Sequence, residues 1–326
     1  MMTAYRPYYS DWADANIVVD SAPRDGTVLT LSHWPSVYCS PEYRADTSAE
    51  MAIKYLSMSQ GLSLAPWVTA SHYDVDALIS VYAFSSPEIV LSNPSFWIEL
   101  AFAGDFESSH NDEVRKLARA LEFWVDESRS PMGTDFKGVA MSDRHSLVFD
   151  NLLPRLGEIV LHPNRLKDCW QDGELLYARS MALLSDSSVE VTERPELDLT
   201  IIRSQKAHLL DGDTSYLGFD AFAIHRVAKG ATVAIMMGEH YRLIQRYESW
   251  IQFVSRDVRP RQDLAPLCVW LTEQDQAVWE YDGVQYVAPV LAVKSGGTSS
   301  LTQDEFIHDV TAYLTAAPGA WHPMEL

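Results

Sequence analysis

The chain is poor in cysteine and in basic residues, and both shortages exclude classes of function. Its 326 residues include three cysteines, which form no Cys-x-x-Cys pair. A sparse, odd number of cysteines is typical of a reducing compartment and excludes a site built on cysteine ligands. The 45 acidic residues outnumber 25 basic ones, which gives a formal net charge of -20. A field of that sign repels nucleic-acid backbones, so we expect no broad nucleic-acid binding, although an acidic surface also serves solubility.

Long apolar runs and several catalytic motifs are also absent from the sequence. No apolar run approaches the roughly 18 residues that a membrane span requires. The first 20 residues lack the basic start and apolar core of a signal peptide. Neither Gly-x-Ser-x-Gly nor His-Glu-x-x-His occurs, so serine hydrolases and zincins have no support. We therefore expect a cytoplasmic protein without membrane partners.

The chain has ample material for a core, since 47% of its residues are hydrophobic. Its length favours two domains. The small polar stretch from Ser185 to Ser188 is the best linker candidate. We predict an α/β fold, with a parallel-sheet domain over residues 1–187 and a smaller α+β domain over residues 188–326.

Local patterns predict individual elements within these domains. Apolar spacing predicts two helices between Asn93 and Asp126. Thr302 with Glu305 is a capping-box signature for a last helix. The stretch from Tyr241 to Val254 predicts one long strand.

The most informative stretch runs from Ser71 to Ser80. It places His72, Asp74 and Asp76 within five residues, between an apolar run typical of a strand and another typical of a helix. Sites in open α/β sheets gather at the carboxyl ends of strands. An imidazole alternating with two carboxylates there suits Mn²⁺, Mg²⁺ or Zn²⁺. The alternative is that an aspartate caps the following helix and His72 is simply hydrogen-bonded.

Two further residues, His33 and Asp46, lie in polar turns beside predicted elements. Either could complete a metal site, since imidazole and carboxylate are common ligands. A capping role for Asp46 and a buried, hydrogen-bonded His33 are equally open.

The stretch from His72 to Ser80 resembles the first motif of the DHH phosphoesterase superfamily. In that superfamily a strand delivers aspartates to a two-manganese site, and a bound hydroxide attacks phosphorus. The resemblance implies a DHH-type parallel-sheet domain and a metal-dependent hydrolase. It implies a small phosphorylated or nucleotide-like substrate, His72, Asp74 and Asp76 as metal ligands, and catalytic roles for both aspartates.

Other DHH motifs are less complete in this sequence. Gly104-Asp105-Phe106 follows an apolar run and stands for the second, single-aspartate motif, which makes Asp105 a further catalytic residue and metal ligand. The Asp-His-His triplet that names the superfamily is absent. Its nearest approach is Asp143-Arg144-His145, in a helical pattern where surface polar residues are the plainer interpretation.

Over most of its length the chain also resembles a family of uncharacterised actinobacterial proteins, a DUF6687-like domain of unknown function. The resemblance supports the domain limits and implies no activity. The matching stretches, besides the His/Asp cluster, are Leu31–Trp34, Arg44–Ser48, Ala103–Phe106 and Arg246–Trp250.

The second domain offers a candidate for anion binding. If Tyr241 to Val254 is a strand, Arg242 and Arg246 share one face with Glu248. Two guanidinium groups on one face suit phosphate or carboxylate, whereas an Arg-Glu ladder that stabilises the sheet is the alternative. We group His225 with these arginines as a substrate-binding candidate. The loop over residues 296–300, Gly-Gly-Thr-Ser-Ser, could bind an anion through backbone N–H groups or serve as a flexible connection.

These patterns predict a hydrolase with a divalent metal, Mn²⁺ first, with Zn²⁺, Mg²⁺ or Fe²⁺ as alternatives. The expected partners are a small anionic substrate and, in a homodimer, a second copy of the chain. Two other functions stay open. One is a metal-dependent tailoring enzyme of secondary metabolism, which iron or zinc at His72 would favour. The other is a non-catalytic ligand-binding scaffold.

Overall fold

The computed structural model describes residues 3–210, 212 and 214–324. It divides into two compact units, residues 1–172 and 173–326. The predicted boundary at residues 187 and 188 lies further along the chain than this division. Among the described residues no helix is both long enough and apolar enough to cross a membrane.

Unit 1 is built on a four-stranded sheet in which every pairing is parallel. The strands lie in the order β1-β4-β2-β3. They are β1 (Ala4–Tyr5), β2 (Asn16–Val19), β3 (Thr27–Leu31) and β4 (Trp67–Thr69). Strand β2 is buried along its whole length, as its run of β-branched residues predicts for an inner strand of a parallel sheet.

The helices of unit 1 pack around this sheet. They are α1 (Ser48–Met58), α2 (Val75–Ser85), α3 (Pro87–Ser92), α4 (Pro94–Phe106), α5 (Asp112–Glu122), α6 (Met141–Leu152) and α7 (Leu156–Leu161). A further helix, α8 (Lys167–Leu184), contains the division between the units. Helix α2 is apolar on nearly all sides and buried except at its last residue, Ser85, which makes it a core helix.

A glycine brings α4 close to α2. A Cβ atom on Gly104 would lie 2.4 Å from Cβ of Val75, the first residue of α2, so only glycine permits this approach. The contact places the next residue, Asp105, beside the start of α2.

Unit 2 contains a mixed six-stranded sheet in the order β5-β6-β7-β8-β10-β9. Strands β6 and β7 are parallel, and the other neighbours are antiparallel. The strands are β5 (Glu190–Arg194), β6 (Leu199–Ser204), β7 (Thr232–Met237), β8 (His240–Gln245), β9 (Trp279–Tyr281) and β10 (Val290–Val293). The helices are α9 (Ala221–Val227), α10 (Ala265–Gln274) and α11 (Gln303–Ala316).

The local predictions have mixed outcomes. The mixed α/β class, the helices α4 and α5, and the capping box of Thr302 and Glu305 are confirmed. The single strand from Tyr241 to Val254 is wrong, because β8 ends at Gln245 and a short 3₁₀ turn follows. Gln245 pairs with the first residue of β7. The N–H of Arg246 still donates to the carbonyl of Ala231, and the regular pairing of β8 with β7 ends there.

Candidate metal centre

Three parallel strands deliver polar side chains to one edge of unit 1. Asp20 follows directly on β2, His33 lies two residues beyond β3, and the stretch from His72 to Asp76 follows β4. Because parallel strands end at the same edge, residues far apart in sequence meet there. Asp20 has a φ of 45°. Residues other than glycine adopt this left-handed conformation at an energetic cost, often at functional sites.

The Asp20 side chain is buried at the middle of the cluster. One oxygen, Oδ1, lies 3.3 Å from Nε2 of His33 and accepts a 2.9 Å hydrogen bond from the Ser48 hydroxyl. The other oxygen, Oδ2, lies 3.2 Å from Nε2 of His72. The two oxygens of this carboxylate therefore face two different histidines.

A backbone carbonyl fixes the orientation of the His33 ring. Nδ1 of His33 lies 2.5 Å from the carbonyl oxygen of Asp46. A carbonyl only accepts hydrogen bonds, so Nδ1 carries a proton and Nε2 is the atom that faces Asp20. Nε2 also lies 3.6 Å from Oδ2 of Asp105. A metal-binding histidine is commonly supported in this way, with the second nitrogen donating to a carbonyl.

The two aspartates of the predicted motif hold helix ends as well as facing the cluster. Asp74 is the N-cap of α2: its Oδ1 accepts the N–H of Ala77, and its Oδ2 lies 2.7 Å from Nε2 of His72. Asp76 is fully buried and accepts the N–H groups of Ser48 and Ala49, at 2.7 and 2.8 Å. Asp74 thus caps α2, as the alternative interpretation predicts, and the carboxylates of Asp74 and Asp76 also lie close to the histidines of the cluster.

Burial and mutual repulsion make the acids of this cluster hard to ionise. Burial raises the pKa of Asp76 to about 7, and the charge of Asp20 adds to the rise. Burial raises the pKa of Asp105 well above its usual range, and the charges of Asp76 and Asp74 act in the same direction. Such shifts are frequent at functional sites.

The histidines are shifted toward their charged form. Burial opposes the charge on His33, but the hydrogen bond and charge of Asp20 outweigh it and raise the pKa of His33 to about 9. Burial also opposes the charge on His72, whereas Asp74 and Asp20 raise its pKa to about 11. The same contacts lower the pKa of Asp20 despite its burial. A cation that binds these histidines must displace their protons.

Two groups of side chains could each hold a cation. In each group one ligand atom per residue lies within 4.8 Å of the others. The groups are Asp20 with His72 and Asp74, and Asp20 with His33 and Asp76. Asp20 belongs to both, so one carboxylate could link two ions. Asp105 lies outside both groups, and its Oδ2 is buried without a hydrogen-bond partner in the described structure.

The structure brings His72, Asp74 and Asp76 together and places Asp105 beside His33. It also adds Asp20, which the sequence patterns did not single out. The signal for Asp20 was an aspartate that directly follows the buried run Ile17–Val19.

A third histidine touches the backbone of the cluster from helix α6. Nδ1 of His145 accepts a 3.2 Å hydrogen bond from the N–H of Tyr73, which lies between His72 and Asp74. Burial and the charge of His72 lower the pKa of His145. The stretch that most nearly resembles the missing triplet therefore reaches the site through its histidine.

The substrate-binding candidates of unit 2 have different surroundings. Arg246 lies 2.5 Å from Glu248, and its Nη1 donates to two backbone carbonyls. Nε2 of His225 lies 2.8 Å from the Tyr216 hydroxyl. These contacts match the structural alternative for Arg246.

Arg242 is buried in β8 with fewer contacts. Its Nη1 donates to the carbonyl of Tyr241, and burial lowers its pKa. No carboxylate of the described residues lies within ion-pair distance of it. A Cβ atom on Gly296 would lie 3.9 Å from its Nη2, so the small-residue loop begins beside this guanidinium.

The family model DUF6687, a family of unknown function, matches residues 1–325. The chain belongs to this family. No curated protein and no solved structure matches it. The DUF6687 match spans both units, so the acidic cluster and the arginine-bearing sheet lie within one family region. The resemblance to this family over most of the chain is thereby confirmed.

Proposed function

We propose that this DUF6687 protein is a metal-dependent hydrolase of the DHH phosphoesterase type, which uses Mn²⁺ and acts on a small phosphorylated or nucleotide-like substrate. The observation that carries the proposal is the position of Asp20. Its two oxygens face two histidines, and each histidine belongs to a separate ligand group. A carboxylate shared between two ligand sets suits a two-metal hydrolase, whose ions lie about 3.5–4 Å apart.

The donor set fits a divalent cation. Carboxylate oxygens with imidazole nitrogens suit Mn²⁺, and also Zn²⁺ or Fe²⁺. The Asp46 carbonyl holds His33 so that, in the neutral ring, the lone pair lies on Nε2, which faces Asp20. Asp105 has a buried oxygen with no hydrogen-bond donor within the described residues, which a cation would satisfy. His33 also supplies the second histidine that the absent Asp-His-His triplet would otherwise provide.

The residues of the centre can each be given a role in phosphoester hydrolysis. Divalent cations held there would lower the pKa of a water molecule and offset charge on the phosphoryl oxygens. Asp20, Asp74 and Asp76 would hold the cations, with Asp105 as an additional oxygen ligand. The amide hydrogen bonds to Asp76 fix its carboxylate before substrate arrives, and preorganisation of this kind lowers the cost of reaching the transition state.

Unit 2 supports the proposal through Arg242. A buried guanidinium without a carboxylate partner among the described residues favours an anionic ligand. Gly296 leaves space beside it. Arg246 and His225 remain substrate-binding predictions, although Arg246 already pairs with Glu248.

Metal titration of matched aspartate variants tests the proposal. Chelator-treated wild type is titrated with Mn²⁺ beside Asp20→Asn and beside Asp25→Asn, an exposed aspartate near it in sequence. We expect two Mn²⁺ ions per chain in wild type and in Asp25→Asn, because two ligand groups are present. Asp20→Asn should weaken the binding of both ions by at least about 100-fold, because loss of even an outer contact of a metal site lowers metal affinity 10- to 100-fold.

Hydrolysis of p-nitrophenyl phosphate and of bis(p-nitrophenyl) phosphate should follow Mn²⁺ occupancy. Absence of Mn²⁺ from wild type would overturn the proposal and favour the ligand-binding scaffold. Tight binding of iron or zinc without phosphoester hydrolysis would favour the tailoring enzyme instead.

A further inference from the structure

His145 is attached to the centre by a contact that spans 72 residues of sequence. Its Nδ1 accepts the backbone N–H of Tyr73 at 3.2 Å. The Tyr73 side chain is buried, and its hydroxyl donates a 2.6 Å hydrogen bond to the Leu121 carbonyl. The peptide that holds His145 is therefore itself fixed, and it lies between two residues of one ligand group, His72 and Asp74.

This hydrogen bond determines which nitrogen of His145 carries the proton. A backbone N–H only donates, so Nδ1 must be unprotonated, and the neutral ring carries its proton on Nε2. The arrangement is the reverse of that at His33, where Nδ1 donates to a carbonyl. His33 thus offers a lone pair to a cation, whereas His145 offers a donor.

Lysine and arginine are not among the described side chains whose charges act most strongly on the acids of the centre. The side chains whose charges act on Asp20, Asp76 and Asp105 are carboxylates and histidines. His145 is half-buried, and no described residue forms a hydrogen bond with its Nε2. An Nε2–H group at the border of an acidic centre is therefore available to an incoming ligand.

We propose that His145 is a substrate-binding residue of this centre, and that its Nε2–H donates a hydrogen bond to a phosphoryl oxygen of the bound substrate. This inference rests on the proposed function. His145 keeps its proton, because the neutral ring would become imidazolate on losing it. Its role is thus to orient the anion and to stabilise charge on its oxygen, as a preorganised neutral donor does.

Two substitutions separate the two nitrogens of the ring. His145→Asn keeps an acceptor near the position of Nδ1 for Tyr73 but removes the distal donor. His145→Gln keeps an N–H donor near the position of Nε2 but disturbs the contact with Tyr73. His162→Asn, at an exposed histidine of the same unit, is the control.

The probe is inorganic phosphate bound to Mn²⁺-loaded protein, followed by the paramagnetic relaxation of its ³¹P signal, which reports only phosphate close to the metal. We expect phosphate affinity to fall about tenfold in His145→Asn, the value of one hydrogen bond to a charged ligand. His145→Gln and His162→Asn should stay within about threefold of wild type. Mn²⁺ affinity should be equal in all four proteins.

If His145 had a purely structural role, the order of phosphate affinities would be inverted, with His145→Gln binding phosphate weakly and His145→Asn binding it about as well as wild type. That result would overturn the inference while leaving the metal centre intact. If wild type binds no Mn²⁺, the proposed function fails and the inference fails with it. The ¹⁵N shifts of His145 in metal-free protein give a second reading. An unprotonated Nδ1 supports the inference, and a protonated Nδ1 overturns it.

Discussion

Each unit contains a buried cluster of charge, and the two clusters differ in how their charges are satisfied. In unit 2, Arg246 pairs with Glu248, and the fully buried Arg261 donates to the Ser249 hydroxyl and to four backbone carbonyls. In unit 1, several carboxylates surround two histidines, and Asp105 has an oxygen without a donor among the described residues. The charges of the first cluster are paired within its own chain, although Nε of Arg246 is buried without a hydrogen-bond partner among the described residues. The second gathers like charges whose pKa values are raised, which is the pattern expected of a functional site.

The largest effect that we expect from this comparison is at Arg246. Arg246→Met leaves the Glu248 carboxylate buried and unpaired, which should lower the free energy of unfolding by about 3–5 kcal/mol. Arg203→Met is the control, since that arginine pairs with Glu190 and Asp304 at the surface and should cost less than about 1 kcal/mol. Urea denaturation measures both. A loss at Arg246 no larger than at Arg203 would show that the pair is not structural.

The cluster of unit 1 should instead respond to pH. The folded state raises the pKa of His33 from 6.5 to about 9 and so binds this proton more tightly than the unfolded chain. Its contribution to stability is complete below pH 6.5 and disappears as the pH rises through 9. We expect the free energy of unfolding of metal-free protein to fall by roughly 3 kcal/mol across this window.

One further group titrates at the lower end of this window. Asp76, with its pKa raised to about 7, acts in the same direction at lower pH, since its contribution is lost as the pH rises through 7. Saturating Mn²⁺ should reverse the slope above neutral pH, because protons then no longer compete with the cation. Urea titrations with and without Mn²⁺ test this expectation. A metal-free slope that persists unchanged in His33→Gln would assign the titration to another group.

Substitution of Asp105 should raise the free energy of unfolding, whereas substitution of Arg246 should lower it. Its carboxyl is buried among acids that raise its pKa, so it costs stability in metal-free protein at neutral pH. Asp105→Asn should therefore raise the free energy of unfolding by about 1 kcal/mol or more at pH 8, while Mn²⁺ affinity falls about tenfold. Thermal unfolding and Mn²⁺ titration of one sample check both. Destabilisation without any change in Mn²⁺ affinity would make Asp105 a packing residue.

Local pattern predicted much of the fold and about half of the site. His72, Asp74 and Asp76 lie in one stretch that runs from the end of a strand into the first turn of a helix, so a single motif indicates them. Asp20 joins them only because β2 and β4 are neighbours in the parallel sheet, and strand order is not visible in local sequence. For the same reason, the sequence indicated His33 only as a residue that could complete the metal site.

The predicted strand over Tyr241–Val254, which is wrong, shows a second limit of prediction from local sequence. Alternation of residues placed Arg242 and Arg246 on one face of a strand. The chain leaves the sheet after Gln245, where its partner strand begins, and Arg246 then pairs with Glu248 in the following turn. Periodicity gives the face of a strand, but the length of the neighbouring strand decides where the pairing stops.

The smallest effect on stability should be at Arg242, and it separates this residue from Arg246. Arg242 has one hydrogen bond to a carbonyl and no carboxylate partner among the described residues, so Arg242→Gln should change the free energy of unfolding by less than about 1 kcal/mol. In protein kept metal-free with a chelator, inorganic phosphate should raise the melting temperature of wild type and of Arg203→Gln, but not that of Arg242→Gln. An equal rise in all three proteins would assign the phosphate to another site. Arg242 would then be a structural residue of the sheet.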